Sequence, residues 1–126
     1  MKDILFNKNY ICVAVSKTKP TEDILKIYNL GHKDFGENKV QELVKKHEEL
    51  PDDINWHLIG KLQRNKVKYI APFVHLIHSV DSEKLLIQIN KEGNKNNRII
   101  NVLLQIKISN DPLKTGFDLS LIHIWR

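Results

Sequence analysis

Cysteine is almost missing from this chain of 126 residues, in which Cys12 stands alone. A single cysteine excludes an intramolecular disulfide framework and is typical of a reducing compartment. Long apolar runs are missing as well, so the sequence predicts no membrane-spanning segment, and the N-terminal apolar patch is too short for a secretory signal. With 41% hydrophobic and 28% charged residues, we expect an ordinary globular protein of the cytoplasm.

Arginine is scarce among the basic residues, with 3 arginines against 17 lysines and a net charge of +5. Proteins that recognise phosphates and base edges favour the bidentate fork of arginine. The lysines are also spread over nearly every predicted helix and do not form one stripe. We therefore expect no nucleic-acid partner.

Glycine is scarce too, with five residues and no GxGxxG turn after the first apolar run, which disfavours a dinucleotide-binding fold. Short apolar runs begin near residues 11, 32, 55, 74 and 99, with amphipathic segments between them. This alternation predicts an α/β fold with a parallel sheet and right-handed crossovers. The sheet could be open and doubly wound or curved into a barrel. A whole (β/α)₈ barrel needs about 250 residues, so the chain would hold about its first five βα units.

Local signals set the predicted helix ends. Asn38, with Gln41 three residues later, predicts an N-terminal cap, and Ser82 predicts another. Gly31 and Gly93 are expected to end the preceding helices.

Lys17 is the most promising candidate for chemistry because it follows an apolar strand. Ligands of parallel α/β folds bind at the carboxyl ends of strands. A lysine held against an apolar wall has a lowered pKa and can act as a Schiff-base nucleophile. Lys19 would lie on the same side if the strand continued, and its charge would lower that pKa further.

The histidines offer less. His75 and His78 stand three apart in a predicted strand, so they are expected on opposite faces and unable to hold one metal ion together. His57 lies inside the third predicted strand, where a hydrogen-bonded core histidine is the simpler interpretation. We find no HExxH, CxxC or GxSxG motif.

Three longer motifs carry more information. They are AVSKTKP at residues 14–20, FGENKVQE at 35–42 and WHLIGKLQRNK at 56–66, followed by IHSVD at 77–81 and VLLQI at 102–106. In this order they closely resemble the pyridoxal-phosphate homeostasis protein family, whose members are also described as proline synthetase co-transcribed homologues. The resemblance covers residues 10 to 117.

The resemblance implies a single-domain barrel like the N-terminal domain of alanine racemase, with pyridoxal 5′-phosphate as cofactor. It implies that Lys17 holds the cofactor as a Schiff base. Asn38 and His57 would line the pocket, and Lys114 would correspond to a second lysine near it. The implied function is intracellular cofactor homeostasis without robust catalysis, in a protein that is monomeric at full length and passes cofactor to apo enzymes that use it.

Two departures from the family pattern are visible. The N-terminal helix is shorter, and the serine, glycine and arginine segments that bind phosphate in the family's C-terminal half have no counterpart. We therefore expect residues 1–117 to be the N-terminal half of the barrel. Residues 118–126, which contain LSLIHIWR, form a tail outside the family pattern.

Other functions compete with this interpretation. A racemase or decarboxylase of the alanine racemase type would need a catalytic tyrosine or cysteine opposite Lys17, supplied by a second domain. A class I aldolase usually carries its lysine on a later strand. A simple interaction module would make the three motifs coincidental.

Overall fold

The computed structural model describes residues 9–108 and 115–118. Five strands form one parallel sheet: β1 (Ala14–Val15), β2 (Asp34–Glu37), β3 (Asn55–Leu58), β4 (Leu76–Val80) and β5 (Asn101–Leu104). The helices between them are α1 (Thr21–Asn29), α2 (Val40–Glu49), α3 (Val67–Ile70) and α4 (Glu83–Lys95), and a 3₁₀ turn over Arg64–Lys66 precedes α3. The predicted alternation of strands and helices is confirmed.

The order of the strands decides between the two possible closures. Each strand pairs with its neighbour in sequence, in the order β1-β2-β3-β4-β5, and every pair is parallel. A doubly wound sheet reverses its order at a switch point, and no such reversal occurs among the described strands. Right-handed crossovers in one direction place all the helices on the same face of the sheet. The chain is therefore part of a (β/α)₈ barrel wall, as predicted.

The hydrophobic core lies between the sheet and its helices. Phe35 and Trp56 are paired in register, as are Leu58 and Ile77, and all four are at most 1% exposed. They pack with helix residues such as Leu43. Large apolar side chains on this face fix which side of each strand meets the helices.

The opposite face of the sheet is less apolar, and we call it the concave face. Gly36 pairs with Val15 on one side and with His57 on the other, so these three positions share that face. Val15 is 55% exposed and Leu103, on β5, is 49% exposed. The concave face is where the interior of a barrel would lie.

Two of the predicted helix signals are confirmed and two are wrong. The Ser82 side chain accepts a hydrogen bond of 3.2 Å from the Leu85 amide, and Gly31 follows α1 with φ 101°. Asn38 does not cap α2, because the helix begins one residue later than that signal requires and Lys39 is its N-cap. Gly93 does not end α4, which continues to Lys95.

The strands are shorter than the apolar runs that predict them. Ladder pairing in β1 covers two residues of the run from 11 to 15, and in β5 it covers four residues of the run from 99 to 108. An apolar run marks where a strand can form, whereas its ends depend on a neighbour for hydrogen bonding. No helix within the described ranges is long and apolar enough to cross a membrane.

Candidate functional site

Lys17 lies in the turn that follows β1, at the carboxyl edge of the sheet. Ser16 is buried on the helix side, and the alternation of the strand turns the next side chain toward the other side. Lys17 is exposed, so the described residues do not supply the apolar wall that was expected to desolvate it. Its position at a strand end is as predicted. The structure gives its ammonium group no partner among the residues it describes.

The chain does not continue as a strand beyond this point. Thr18 has φ 63°, in the left-handed region, and the Lys19 amide donates a hydrogen bond of 3.1 Å to the Ser16 carbonyl. The condition under which Lys17 and Lys19 would share one side, a continuing strand, is therefore not met. This tight turn separates the two lysines and presents Lys17 at its tip.

A buried ion pair supports the turn from below. The Lys46 ammonium on α2 lies 3.0 Å from both carboxylate oxygens of Glu37, and the two side chains are 6% and 0% exposed. The same ammonium donates a hydrogen bond of 2.7 Å to the Ser16 carbonyl, and the Ser16 hydroxyl contacts the Glu37 carboxylate. Burial raises the pKa of Glu37, whereas the hydrogen bonds from Ser16 and Lys46 oppose that rise.

A second carboxylate holds the other side of the turn. Glu42, on the first turn of α2, accepts a hydrogen bond of 2.9 Å from the Thr18 amide and one of 3.1 Å from Lys46. Partial burial works against ionisation of Glu42, but these hydrogen bonds outweigh it and lower its pKa. The backbone is thus tied down immediately before and immediately after Lys17. We call Ser16, Glu37, Glu42 and Lys46 the anchoring network.

Asn38 and Gly60 lie together at the same edge of the sheet. A Cβ atom on Gly60 would overlap the carbonyl oxygen of Asn38 and lie 2.8 Å from its Cα. The Ser79 hydroxyl donates a hydrogen bond to the Gly60 carbonyl, which ties the end of β3 to β4. Asn38 is partly exposed and follows β2 directly, so the structure brings it to the same edge as Lys17.

His57 lies deeper in the sheet than Lys17 and Asn38. Its Nε2 atom is 2.9 Å from a carboxylate oxygen of Asp34, and its Nδ1 atom is 2.9 Å from Nε2 of His78. His57 is 1% exposed, and desolvation by burial lowers its pKa, although Asp34 opposes the change. Desolvation, together with the charge of His57, lowers the pKa of His78. The interpretation of His57 as a hydrogen-bonded core histidine is confirmed, and its contact with a ligand stays a prediction.

His75 and His78 both approach His57, which the sequence did not indicate. The ring centroids of His75 and His78 lie 5.3 Å and 5.1 Å from that of His57. His75 lies just before β4, so the strand alternation assumed for it does not apply. The two histidines still take different positions, because His75 groups with Asp34 and His57 whereas His78 bonds the far side of the His57 ring.

Sequence reasoning missed Lys46, Glu37 and Asp34. Lys46 lies on the buried side of α2, three residues after Leu43. The available signal was its spacing of four residues from Glu42, which is typical of an ion pair along a helix. Lys114 and the residues that follow Asp118 lie outside the described ranges.

Comparison with known proteins gives the site its context. No family model matches the chain. A pyridoxal phosphate homeostasis protein from Aquifex aeolicus is 46% identical over 107 residues, which are 84% of this chain and 47% of that protein. The chain spans about half the length of the curated relatives it matches.

Solved structures agree with these sequence matches. The structure of PipY from Synechococcus elongatus without pyridoxal phosphate has a TM-score of 0.81 and 39% identity, over 89% of this chain and 53% of that one. PipY with pyridoxal phosphate bound gives a TM-score of 0.75 at the same identity, over 84% and 50% of the two chains. Because these proteins match the chain in sequence as well as in fold, the relationship does not rest on a shared fold alone.

Proposed function

Because this chain belongs, over most of its length, to the pyridoxal phosphate homeostasis protein family, we propose that it binds pyridoxal 5′-phosphate and serves in cofactor homeostasis. PipY, to which it is similar, has been solved with that cofactor bound. The residue we assign to covalent attachment is Lys17. The single observation that carries this assignment is an exposed lysine on a doubly anchored turn at the carboxyl edge of a barrel wall.

The residues present fit such a ligand. Lys17 would hold the cofactor through its Nζ atom, by a C=N bond to the cofactor aldehyde made with loss of one water molecule. Asn38 lies at the same edge of the sheet, and the absence of a side chain on Gly60 lets the Asn38 backbone approach closely. His57 stands one layer deeper on the concave face, where it would bound the pocket from below. Pyridoxal phosphate supplies an electron sink when bound, and the protein supplies the attachment and orientation.

The anchoring network explains how an exposed lysine can be held for attachment. Lys46 bonds the carbonyl of Ser16 and Glu42 bonds the amide of Thr18, so the Lys17 backbone has little freedom even though its side chain is solvated. Preorganised geometry lowers the entropy that condensation must remove. We assign positioning roles to Glu37, Glu42 and Lys46.

The remaining proposals concern the role of the whole protein, its location and its partners. The relatives are named as homeostasis proteins, which agrees with storage or delivery and no robust catalysis in this chain. We propose a cytoplasmic protein that is monomeric at full length and whose recipients are apo enzymes that need the cofactor. We also propose that Lys114 approaches the pocket, and that residues 1–117 are half of the barrel with residues 118–126 as a separate tail.

Borohydride trapping tests the attachment residue. The chain is incubated with equimolar pyridoxal phosphate, reduced, digested and analysed by peptide mass spectrometry. We expect the pyridoxyl group on Lys17 and its loss in Lys17→Arg, which retains the charge but cannot form the C=N bond. Lys19→Arg is the matched control, because it changes the next lysine of the same turn, and it should label like the parent.

Three results would contradict the proposal. Label concentrated on Lys19 or Lys114 in the parent chain would show that the wrong lysine was assigned. Label scattered evenly over the lysines at equimolar cofactor would show that the chain has no specific site. A chiral assay with brisk amino-acid racemisation by the full-length protein would favour the racemase instead.

A further inference from the structure

A second cluster of polar side chains lies on the concave face, toward the amino ends of the strands. Asp34 opens β2, His57 is the third residue of β3, and His75 stands immediately before β4. One ligand atom from each lies within 4.8 Å of the other two. Lys17 follows the opposite, carboxyl end of β1, so the cluster is separate from the attachment residue and shares only His57 with the proposed pocket.

We propose that Asp34, His57 and His75 bind a divalent transition-metal ion, with Zn²⁺ as the best fit. Two imidazoles and one carboxylate form the three-ligand set of many open zinc sites, in which water takes the fourth position. Imidazole nitrogens disfavour Mg²⁺ and Ca²⁺, which prefer oxygen ligands. The described residues add no cysteine to the group, so the ion would be held by nitrogen and oxygen alone.

The distances require a small adjustment. Ligand atoms around a tetrahedral zinc ion stand about 3.3 Å apart, given bond lengths near 2.0–2.2 Å. Asp34 and His57 meet at 2.9 Å and would separate slightly, and because all three ligand atoms lie within 4.8 Å of one another, any contraction falls on His75. His75 is not buried, and it lies outside the strand, so its ring can rotate without disturbing the core. The Asp34 side chain is 22% exposed, which leaves the ion a route from solvent.

His78 completes the arrangement as an outer support. Metal-binding histidines usually donate their second ring N–H to another group, which fixes the ring and its tautomer. Nδ1 of His57 already lies 2.9 Å from Nε2 of His78. Without metal, the carboxylate of Asp34 accepts only, so the His57 proton is on Nε2 and His78 donates to Nδ1.

Metal binding would reverse that hydrogen bond. The Nε2 lone pair of His57 must face the ion, so the proton of this ring moves to Nδ1 and is donated to His78 Nε2. His78 then carries its own proton on Nδ1. Each ring keeps one proton, so this exchange of tautomers releases no net proton to solvent.

Zinc titration of the whole chain, monitored by calorimetry, tests the site. The absorbance of bound Co²⁺ in the visible is a second readout. Replacing an outer support typically lowers metal affinity about 10- to 100-fold, and we expect His78→Asn to fall in that range. Asp34→Asn and His75→Asn should each lose more, because each removes a ligand. His47→Asn is the control, since His47 stacks on Phe73 away from the cluster, and it should bind like the parent.

Nitrogen-15 spectra of the histidine rings should show His57 and His78 exchanging tautomers when zinc is added. Binding that is undiminished in His75→Asn and Asp34→Asn would overturn the proposal, as would equal loss in His47→Asn. Circular dichroism confirms that each variant is folded before its titration is compared. None of these readouts requires pyridoxal phosphate, so the metal site and the proposed cofactor function succeed or fail separately.

Discussion

Lys46→Met removes the cation from the anchoring network while retaining a long apolar stem. Its ammonium contacts both oxygens of Glu37, whose side chain is fully buried, so the change leaves that carboxylate without a charged partner. Breaking one side of a buried ion pair costs about 3–5 kcal/mol. A domain of this size is typically stable by about 5–15 kcal/mol, so the variant should lose a large fraction of its free energy of unfolding.

Urea denaturation, monitored by tryptophan fluorescence and circular dichroism, measures this loss of unfolding free energy. Lys45→Met is the matched control, because it makes the same substitution at the neighbouring, exposed position of α2. A surface change of this kind usually stays within about 0.5 kcal/mol of the parent. The difference between the two variants therefore reports the buried pair and excludes a general effect of removing a lysine from the helix.

The pH dependence of the loss identifies its cause. Burial already raises the pKa of Glu37, and Lys46 is one of the groups that opposes the rise. Without Lys46 the pKa rises further, so Glu37 takes up a proton more readily in the folded state and its unpaired charge disappears as the pH falls. A folded pKa above the unfolded one favours folding at low pH. The deficit of Lys46→Met should therefore shrink as the pH falls toward the unperturbed pKa of glutamate, about 4.3.

A double variant tests whether the unpaired charge of Glu37 causes the loss of stability. Glu37→Gln combined with Lys46→Met removes both charges and should recover much of the stability, since the remaining amide can still pair with Ser16. A deficit no larger than that of Lys45→Met would refute the reasoning. So would a deficit that neither shrinks at low pH nor responds to Glu37→Gln, because packing alone would then explain it.

Three further predictions concern other parts of the fold. Gly60→Ala should lower the free energy of unfolding by about 1–3 kcal/mol in urea titrations, because its Cβ would overlap the Asn38 carbonyl; a neutral result would show that this edge can shift. Ser82→Ala should cost about 1 kcal/mol through loss of the cap on α4, with Ser82→Asp retaining it; equal losses in both would argue against capping. Burial lowers the pKa of His57 and of His78, so the unfolded chain binds protons first and stability should fall as the pH drops below about 6.5. The double variant His57→Gln/His78→Gln should flatten that fall in urea midpoints, whereas an unchanged slope would contradict it.

The fold was accessible from the sequence because its signals repeat. Each apolar run followed by an amphipathic segment indicated one βα unit, and the position of Lys17 after β1 followed from the end of the first run. The strand ends were not accessible, since pairing with a neighbour decides them. Asn38 shows the limit of local signals, because its residue type favours a cap while the helix begins at Val40.

The missed site residues have a common physical reason. Lys46 and Glu37 are charged types that sequence patterns place on the surface, and each is buried only because the other is present. Asp34 approaches His57 from β2, and His75 approaches it from the position just before β4. Their meeting depends on strand register, which no single segment of the sequence contains.

The consecutive order of the strands has a consequence for how this chain folds. Ala14 pairs with Phe35 and Leu76 with Asn101, so each ladder joins residues roughly 20 to 25 positions apart and none joins the ends of the sheet. Closing loops of that length costs modest entropy, and each completed unit offers an edge on which the next can form. Folding can therefore spread from unit to unit, as it does in repeat proteins, with nearest-neighbour coupling in place of a single long-range nucleus.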